Sequence, residues 1–346
     1  MKNTILSMLL GLALLGGACT EESPVTVKPE GDGQAPVEID RSAFACGADV
    51  SWVTWLEAKG YTFFNQEGVQ KECMRLLKED CGVNAIRLRV WVNPSEGWNN
   101  VSDVVVKARR AHQLGQRVMI DFHFSDTWAD PANQTVPAAW ADMDLAQLKV
   151  AMTAHITEML TVLQEMGVTP EWVQIGNETR HGMMYPLGKK DAHFAELVDN
   201  GYEAVKSVFP EAKVIVHLDS GDRLDLYTSI FGILKEANAR YDMIGMSLYP
   251  DPSNWEDTVN KCLENIGKLH EAYGKRLVIA EIGMDYQQPE KADLMMRAMV
   301  KGCQDSEVVD GIFWWEPEAP ASEGYSKGCF QDGMPTQALD VFKEIK

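Results

Sequence analysis

The chain has 346 residues, of which 45% are hydrophobic and 24% are charged. This length is enough to bury a large core in one barrel-sized domain or in two smaller ones. Its 51 acidic residues outnumber 32 basic ones, which gives a formal net charge of −19. A surface this negative repels nucleic acid, anionic lipid and polyanionic substrates, so neutral or cationic partners remain.

The amino-terminal residues predict export. The apolar run at 5–15 follows Lys2 and is shorter than the roughly 20 residues that a membrane span needs. The small residues Gly16-Gly17-Ala18 before Cys19 resemble the bacterial lipoprotein cleavage box. We therefore predict a lipoprotein signal peptide over 1–18 and a lipid anchor on Cys19, which gives an outer-membrane or cell-surface lipoprotein. A plain secretory signal, giving a secreted or periplasmic protein, remains the alternative.

Residues 19–40 predict a flexible tether, because they are rich in Pro, Gly and acidic residues and have no apolar period. The folded domain is then expected over 41–346. Beyond Cys19, six cysteines remain, and either disulfides in an oxidising compartment or buried free thiols fit their even number. These cysteines are Cys46, Cys73, Cys81, Cys262, Cys303 and Cys329. No C-x-x-C motif occurs, so we expect no zinc or other metal site.

Eight short apolar runs alternate with segments of helical spacing. The runs are Phe44–Val50, Val83–Val90, Arg117–Phe124, Trp172–Gly176, Lys213–Leu218, Asp242–Leu248, Arg276–Glu281 and Asp310–Trp315. The helical segments are 66–80, 101–115, 145–166, 192–208, 225–239, 255–273, 289–302 and 336–346. This alternation predicts an α/β fold with a parallel sheet, and eight repeats predict a single (β/α)8 TIM barrel. A doubly wound open sheet is the alternative, but no glycine-rich phosphate loop accompanies it, so no nucleotide cofactor is expected.

Polar and aromatic residues gather where the predicted strands end, which is where barrel enzymes carry their chemistry. Nine of the ten tryptophans lie at these ends or in the segments that follow them, and only Trp172 begins a strand. A flat apolar ring with a polar edge suits a sugar, whose faces carry C–H groups and whose rim carries hydroxyls. Aromatic side chains that merely plug the barrel mouth are the alternative.

Two carboxylates carry the predicted chemistry: Glu178 ends the fourth strand and Glu281 the seventh. Glycoside hydrolysis needs one carboxylic acid to protonate the leaving oxygen and one carboxylate to attack the anomeric carbon or to activate water. Arg87 or Arg89 is expected to keep Glu281 ionised, while a less solvated Glu178 keeps its proton. Glu316 competes for a role in the same layer, but its Glu-Pro context favours a turn.

Several segments resemble glycoside hydrolase family 53, the endo-β-1,4-galactanases. These segments are Ile86–Pro94, Ser125–Pro131, Ile175–Arg180, Tyr185–Gly188, His217–Asp219 and Trp315–Pro317. The resemblance implies Glu178 as acid/base, Glu281 as nucleophile and retention of configuration in β-1,4-galactan. It also implies sugar contacts, and we expect substrate-binding residues at Arg87, Arg89, Trp91, His123, Asp126, Thr127, Trp128, Ala129, Asn177, His217, Tyr249 and Trp315.

The expected partner is therefore a neutral galactan, bound by a monomer without any cofactor. The stretch Gly283–Glu290 lacks the alternating Asp, His and Asn of the calcium site that some bacterial members carry, so no calcium is expected. Two alternatives remain: another retaining β-1,4-glycanase, such as a mannanase or glucanase, and a non-catalytic glycan-binding protein. The presence of both glutamates argues against the second.

Overall fold

The computed structural model describes residues 39–190 and 192–345. The signal segment, the anchor Cys19 and residues 19–38 of the tether lie outside these described residues. Among the helices that are described, none combines the length and the apolar character needed to cross a membrane.

Eight parallel strands close into a barrel, which confirms the predicted fold class. They are β1 Ala45–Asp49, β2 Ala85–Val90, β3 Arg117–Phe122, β4 Trp172–Ile175, β5 Lys213–Leu218, β6 Met243–Leu248, β7 Arg276–Ile282 and β8 Val309–Trp315. Each strand pairs with its neighbours in sequence, and β8 pairs with β1 to close the barrel. All the carboxyl ends therefore open on one face.

Helices follow the strands on the outside of the barrel. They are α1 Val53–Ala58, α2 Cys73–Cys81, α3 Val101–Gln113, α4 Leu145–Glu165, α5 Ala192–Val208, α6 Leu224–Glu236, α7 Trp255–Tyr273 and α8 Pro289–Ser306. The predicted helix over 66–80 is wrong in its first half, because Phe63–Phe64 and Gln70–Lys71 form a short antiparallel hairpin and α2 begins only at Cys73. The predicted terminal helix is a 3₁₀ helix, Gln337–Glu344, and α1 was not predicted.

One apolar side chain from each strand plugs the amino-terminal half of the barrel. The layer consists of Ala45, Ala85, Met119, Trp172, Ile215, Met243, Val278 and Phe313. Trp172 and Phe313 meet edge to face with their ring centroids 5.9 Å apart. Gly47 leaves room for Phe313, because a Cβ atom at this glycine would lie 2.2 Å from ring atom Cδ1. In the part of the chain that the structure describes, the barrel interior is therefore closed at its amino-terminal end and open to a substrate at its carboxyl-terminal end.

The described chain enters the domain on the closed face. Residues 41–44 lie beside the first residues of β3, β7 and β8, where they line a polar pocket. The guanidinium of Arg117 donates to the carbonyl of Ala43 at 2.6 Å and to that of Arg41 at 3.2 Å. These bonds fix residues 41–43 against the amino ends of the strands.

The six cysteines of the domain are all free and buried. The sequence left disulfides and buried free thiols open, and the structure has buried free thiols. Burial raises the pKa of Cys46 and of Cys262 to about 12, so both are protonated at neutral pH.

Candidate active site

A cleft of about 390 Å³ lies over the carboxyl ends of the strands. Both predicted catalytic glutamates line it, together with side chains from the loops after β3, β6 and β8. The lining residues are His123, Trp128, Ala129, Asp130, Asn177, Glu178, Tyr249, Glu281, Trp315, Gly324, Tyr325, Ser326 and Lys327. Strands far apart in sequence thus contribute to one cavity, as the barrel topology requires.

Glu281, near the end of β7, is 5% exposed and is held by two charge-stabilising contacts. Its Oε1 lies 3.0 Å from Nη2 of Arg87, and its Oε2 accepts a hydrogen bond of 2.7 Å from the hydroxyl of Tyr249. Burial raises the pKa of Glu281 above its usual value, and Arg87 and Tyr249 limit this rise. Of the two arginines suggested for this task, Arg87 is the one that contacts Glu281.

Glu178 follows β4 in a half-buried position with a left-handed backbone, φ +47°. Burial raises the pKa of its carboxyl well above the usual range, and the negative charges of Glu281 and Asp219 raise it further. A hydrogen bond with Ser247 and the charge of Arg87 oppose this shift. No cation among the described residues forms an ion pair with Glu178, so this carboxyl group is expected to retain its proton more readily than Glu281 does.

Asn177 and His217 form a rigid support beside Glu178. Oδ1 of Asn177 accepts from Nη2 of Arg87 at 2.9 Å and lies 2.9 Å from Nδ1 of His217, while Nδ2 of Asn177 donates to the carbonyl of Ala129 at 2.8 Å. Nδ1 of His217 also receives the backbone N–H of Glu178 at 3.4 Å. Nε2 of His217 lies 2.8 Å from the hydroxyl oxygen of Ser247. Burial and the nearby Arg87 lower the pKa of His217 well below its usual value, so the ring is neutral.

Arg87, which is fully buried, connects three carboxylates at the base of the cleft. Its guanidinium lies 2.7 Å from Asp49, 2.8 Å from Asp121 and 3.0 Å from Glu281. Gln174 adds an acceptor oxygen at 3.1 Å. A buried charge with this many partners is fixed in place, so the arginine orients Glu281 as well as ionising it.

The two ring nitrogens of His123 connect the loop after β3 to Asp121. Its Nδ1 accepts from the indole N–H of Trp91 at 3.3 Å and from the backbone N–H of Ala129 at 3.1 Å. Its Nε2 therefore carries the hydrogen and donates to Asp121 at 3.0 Å. The ring thus couples the loop after β3 to the Arg87 network.

Arg89 lies two residues beyond Arg87 on β2 and has different partners. Its Nη1 pairs with Oε1 of Glu316, whose Oε2 accepts from the backbone N–H of Trp52 at 3.1 Å. Glu316 does stand in a turn, with φ +47°, but its side chain is fully buried rather than exposed. Burial raises the pKa of Glu316 to about 7, and Arg89 opposes the shift. Sequence reasoning missed this ion pair.

Asp126 and Thr127 lie outside the cleft lining. Both carboxylate oxygens of Asp126 accept backbone N–H groups, from Asn93 at 2.9 Å and from Ala138 at 2.8 Å. Asp126 therefore joins two loops, while Thr127 is exposed. Trp128 and Ala129, the next two residues, do line the cleft.

Sequence reasoning also missed the contribution of the loop after β8. The ring of Tyr325 lies 4.7 Å from that of Trp315, and the ammonium of Lys327 lies 4.5 Å from the ring centroid of Tyr249. Burial lowers the pKa of Lys327, and the charges of Glu178 and Asp285 oppose this. Tyr325 and Lys327 follow Gly324 in a segment that has no apolar period. In the sequence, the position of this segment after a barrel strand is the one signal that it belongs to the site.

The site therefore combines a carboxyl group whose pKa is raised well above its usual value with a second carboxyl group that an arginine and a tyrosine contact directly. A donor and a nucleophile of this kind, in one cleft between aromatic side chains, match the requirements of glycoside hydrolysis. Among the described residues, no group of three or more His, Cys, Asp or Glu side chains is arranged to hold a metal ion.

Comparisons with known proteins agree with this reading. The family model described as Glycosyl hydrolase family 53 matches residues 45–298. The chain is 31% identical over 314 residues to a probable arabinogalactan endo-β-1,4-galactanase A of Aspergillus terreus, over 83% of this chain and 89% of that protein. It is 32% identical over 259 residues to an endo-β-1,4-galactanase of Bacillus subtilis, over 72% and 59% of the two chains. It is also similar to a solved fungal β-1,4-galactanase, with a TM-score of 0.80 at 29% identity over 86% and 98% of the chains.

Proposed function

We propose, from the premise that this chain belongs to glycosyl hydrolase family 53 and is a glycoside hydrolase, that it is a retaining endo-β-1,4-galactanase acting on galactan and arabinogalactan side chains. The observation that carries the proposal is the contrast between the surroundings of Glu178 and Glu281 in one cleft. Arg87 and Tyr249 contact the Glu281 carboxylate, whereas burial and neighbouring negative charges raise the pKa of Glu178 well above its usual value. The galactanase names of the relatives support the choice of sugar.

In the first step, the carboxylate of Glu281 forms a bond to the anomeric carbon while the glycosidic C–O bond breaks. Glu178 transfers its proton to the departing oxygen, so the leaving group departs as a neutral alcohol. Arg87 and Tyr249 hold Glu281 in its charged form and fix its orientation. Asn177, anchored by Arg87 and His217, is placed to contact the sugar ring.

In the second step, water attacks the anomeric carbon and Glu178, now ionised, accepts the proton of that water. The bond to Glu281 breaks and its carboxylate is released. Two inversions give net retention of configuration. Once Glu281 is esterified, its negative charge no longer raises the pKa of Glu178, so the same carboxyl group becomes a base for this step.

The high negative charge supports a neutral polysaccharide as substrate, because a polyanionic chain would be repelled from a protein of net charge −19. Charge does not distinguish galactan from mannan or cellulose, and this choice rests on the family. The non-catalytic alternative is disfavoured, because a binding protein gains nothing from burying an arginine against a glutamate in the cleft.

The test measures reducing-sugar release from galactan, arabinogalactan, mannan and cellulose. Wild type is expected to act on galactan, and Glu178→Gln and Glu281→Gln are each expected to lose about 10³-fold or more. The exposed Glu256 gives the matched control, since Glu256→Gln changes the same groups on the surface of α7. Proton NMR of the first product formed identifies the anomer. An α-anomer would refute retention, and full activity of Glu281→Gln would refute the site.

We further propose that the protein is exported and anchored by lipid on Cys19, followed by a tether over 19–40 and a monomeric catalytic domain over 41–346. The lipoprotein-like box before Cys19 supports this proposal. Incorporation of a fatty-acid analogue that is lost in Cys19→Ala is the expected result. Absence of label in the wild type would favour plain secretion, and sedimentation of the protein as a dimer would contradict the monomer.

A further inference from the structure

The guanidinium of Arg89 is enclosed by indole rings beside the cleft. It lies 4.2 Å from the ring centroid of Trp128 and 5.2 Å from that of Trp91. Trp315 and Trp52 follow at 5.9 and 6.0 Å. A cation within about 6 Å of an aromatic face is attracted to it, and the attraction grows when water is excluded. Arg89 is buried, so each of these contacts is desolvated.

The same four rings also contact one another. Trp128 lies 5.3 Å from Trp91, 5.7 Å from Trp315 and 6.0 Å from Trp52, with interplanar angles of 59–82°. Tilted and edge-to-face packing of this kind fixes the orientation of each ring. Two members, Trp128 and Trp315, line the cleft, so the orientation of the cluster determines which ring surface a sugar meets.

Arg89 makes few of the hydrogen bonds that a guanidinium can make. Nη1 pairs with Glu316, but Nε and Nη2 have no hydrogen-bond partner in the described residues. Burial of a guanidinium with two unused nitrogens is costly, so the aromatic faces are its principal compensation. The nearby Lys107 does not serve the rings, because its ammonium is bound to Ser51, Asn99 and Asp103.

The two arginines of β2 have different partners, so the indole cluster is separate from the two predicted catalytic glutamates. Arg87 contacts Glu281 directly, whereas the ion-pair partner of Arg89 is Glu316 and its other contacts are the rings. Glu316 in turn fixes Trp52, because the backbone N–H of Trp52 donates to the Glu316 carboxylate. The pair therefore connects β2, the start of α1 and the turn after β8 into one frame around the indoles.

We propose that the Arg89–Glu316 pair is a positioning element for substrate binding, which holds Trp128 and Trp315 as a preformed stacking surface for sugar units of the bound glycan. The inference deepens the proposed function and rests on it. It makes Arg89 and Glu316 determinants of affinity for the chain, and leaves bond cleavage to Glu178, Glu281 and Arg87. Stacking surfaces that are fixed before binding lose less conformational entropy when the substrate arrives.

The test uses the full chain and β-1,4-linked galacto-oligosaccharides of increasing length. Arg89→Met removes the charge, Arg89→Lys keeps a cation, and Glu316→Gln keeps the shape of the anchor. Loss of one oriented ring contact corresponds to about tenfold in KM for the longer oligosaccharides, with kcat changed by less than about threefold. Arg89→Lys is expected to recover part of the loss. The near-UV circular dichroism spectrum of Arg89→Met should also differ from that of the wild type, because the indoles lose their fixed packing.

Arg240 supplies the matched control. Its guanidinium also pairs with carboxylates, those of Asp199 and Glu203, and lies 5.2 Å from the ring of Tyr202, but on the outer helices. Arg240→Met should leave KM unchanged at every chain length.

Two results would overturn the inference: KM within twofold of wild type at all lengths in Arg89→Met, or a loss confined to kcat. If Arg89→Met does not fold, Arg89→Lys and Glu316→Gln decide by the same criteria. Galactan hydrolysis by the wild type tests the proposed function separately, so failure of the positioning role is distinguishable from failure of the activity.

Discussion

The hydroxyl of Tyr249 is the most direct means of testing how the charge of Glu281 is maintained. It donates to Oε2 of Glu281 at 2.7 Å inside a buried site. Replacement by phenylalanine removes this single bond and leaves the ion pair with Arg87 in place. The ionised carboxylate loses stabilisation relative to its protonated form, so the pKa of Glu281 rises.

A hydrogen bond to a charged group contributes about 1.5–3 kcal/mol, and 1.36 kcal/mol corresponds to about one pH unit. As the proposed nucleophile, Glu281 acts only when ionised, so activity is expected to be lost as the pH falls through its pKa. In Tyr249→Phe, the acid limb of the pH profile is therefore expected to move upward by roughly one to two pH units. The basic limb, which reports deprotonation of Glu178, should move much less.

The measurement is kcat/KM on galactan as a function of pH, because this ratio reports the ionisation of the free enzyme. Tyr227→Phe is the control, since its buried hydroxyl lies outside the cleft lining and donates to the backbone carbonyl of Leu218 at 2.8 Å instead of a carboxylate. An acid limb that coincides with that of the wild type would refute the reasoning and would leave Tyr249 as a substrate contact only.

Two further predictions concern stability. Glu318 is buried, neither carboxylate oxygen has a hydrogen-bond partner in the described residues, and burial raises its pKa well above the usual range. Folding near pH 7 must therefore either protonate this carboxyl group or bury its charge. Glu318→Gln should remove this cost and raise the unfolding free energy by about 1–3 kcal/mol at pH 7. The gain should disappear as the pH falls to the pKa of an ordinary glutamate, where the side chain is protonated in the unfolded state as well. Urea denaturation at pH 7 and pH 4.5 measures both, and an equal effect at the two pH values would contradict the ionic explanation. Gly47→Ala should destabilise the barrel by about 1–3 kcal/mol in the same assay, since the new methyl group overlaps the ring of Phe313, and an unchanged midpoint would contradict this close packing.

The eight strands were predictable because each is a short buried run that ends in polar residues, a pattern that depends only on local sequence. The barrel topology then brings the ends of β4 and β7 to one face, which is why Glu178 and Glu281 could be expected to line one cleft, as they do. The region before α2 was harder to predict from the sequence. Phe63–Phe64 and Gln70–Lys71 form a short hairpin with two residues in each strand, and its pairing depends on contacts that a helical period does not encode.

The sequence also did not reveal which arginine of the site pairs with which glutamate. Arg87 and Arg89 share a face of β2, and either was a candidate for Glu281. Their depth in the barrel decides the outcome, because Arg87 lies level with Asp49 of β1 whereas Arg89 reaches the turn at Glu316. Tyr325 and Lys327 were missed for a similar reason, since the path of their loop is set by long-range bonds such as that from the indole N–H of Trp314 to the carbonyl of Lys327.

The entry of the chain on the closed face of the barrel has a consequence for how the domain meets a polymer. Residues 41–43 are bound to the amino ends of the strands by Arg117, and the cleft opens at the opposite ends. The entry point of the described chain and the open cleft therefore lie at opposite ends of the barrel. A polymer can enter the cleft without meeting the point at which the chain joins the domain.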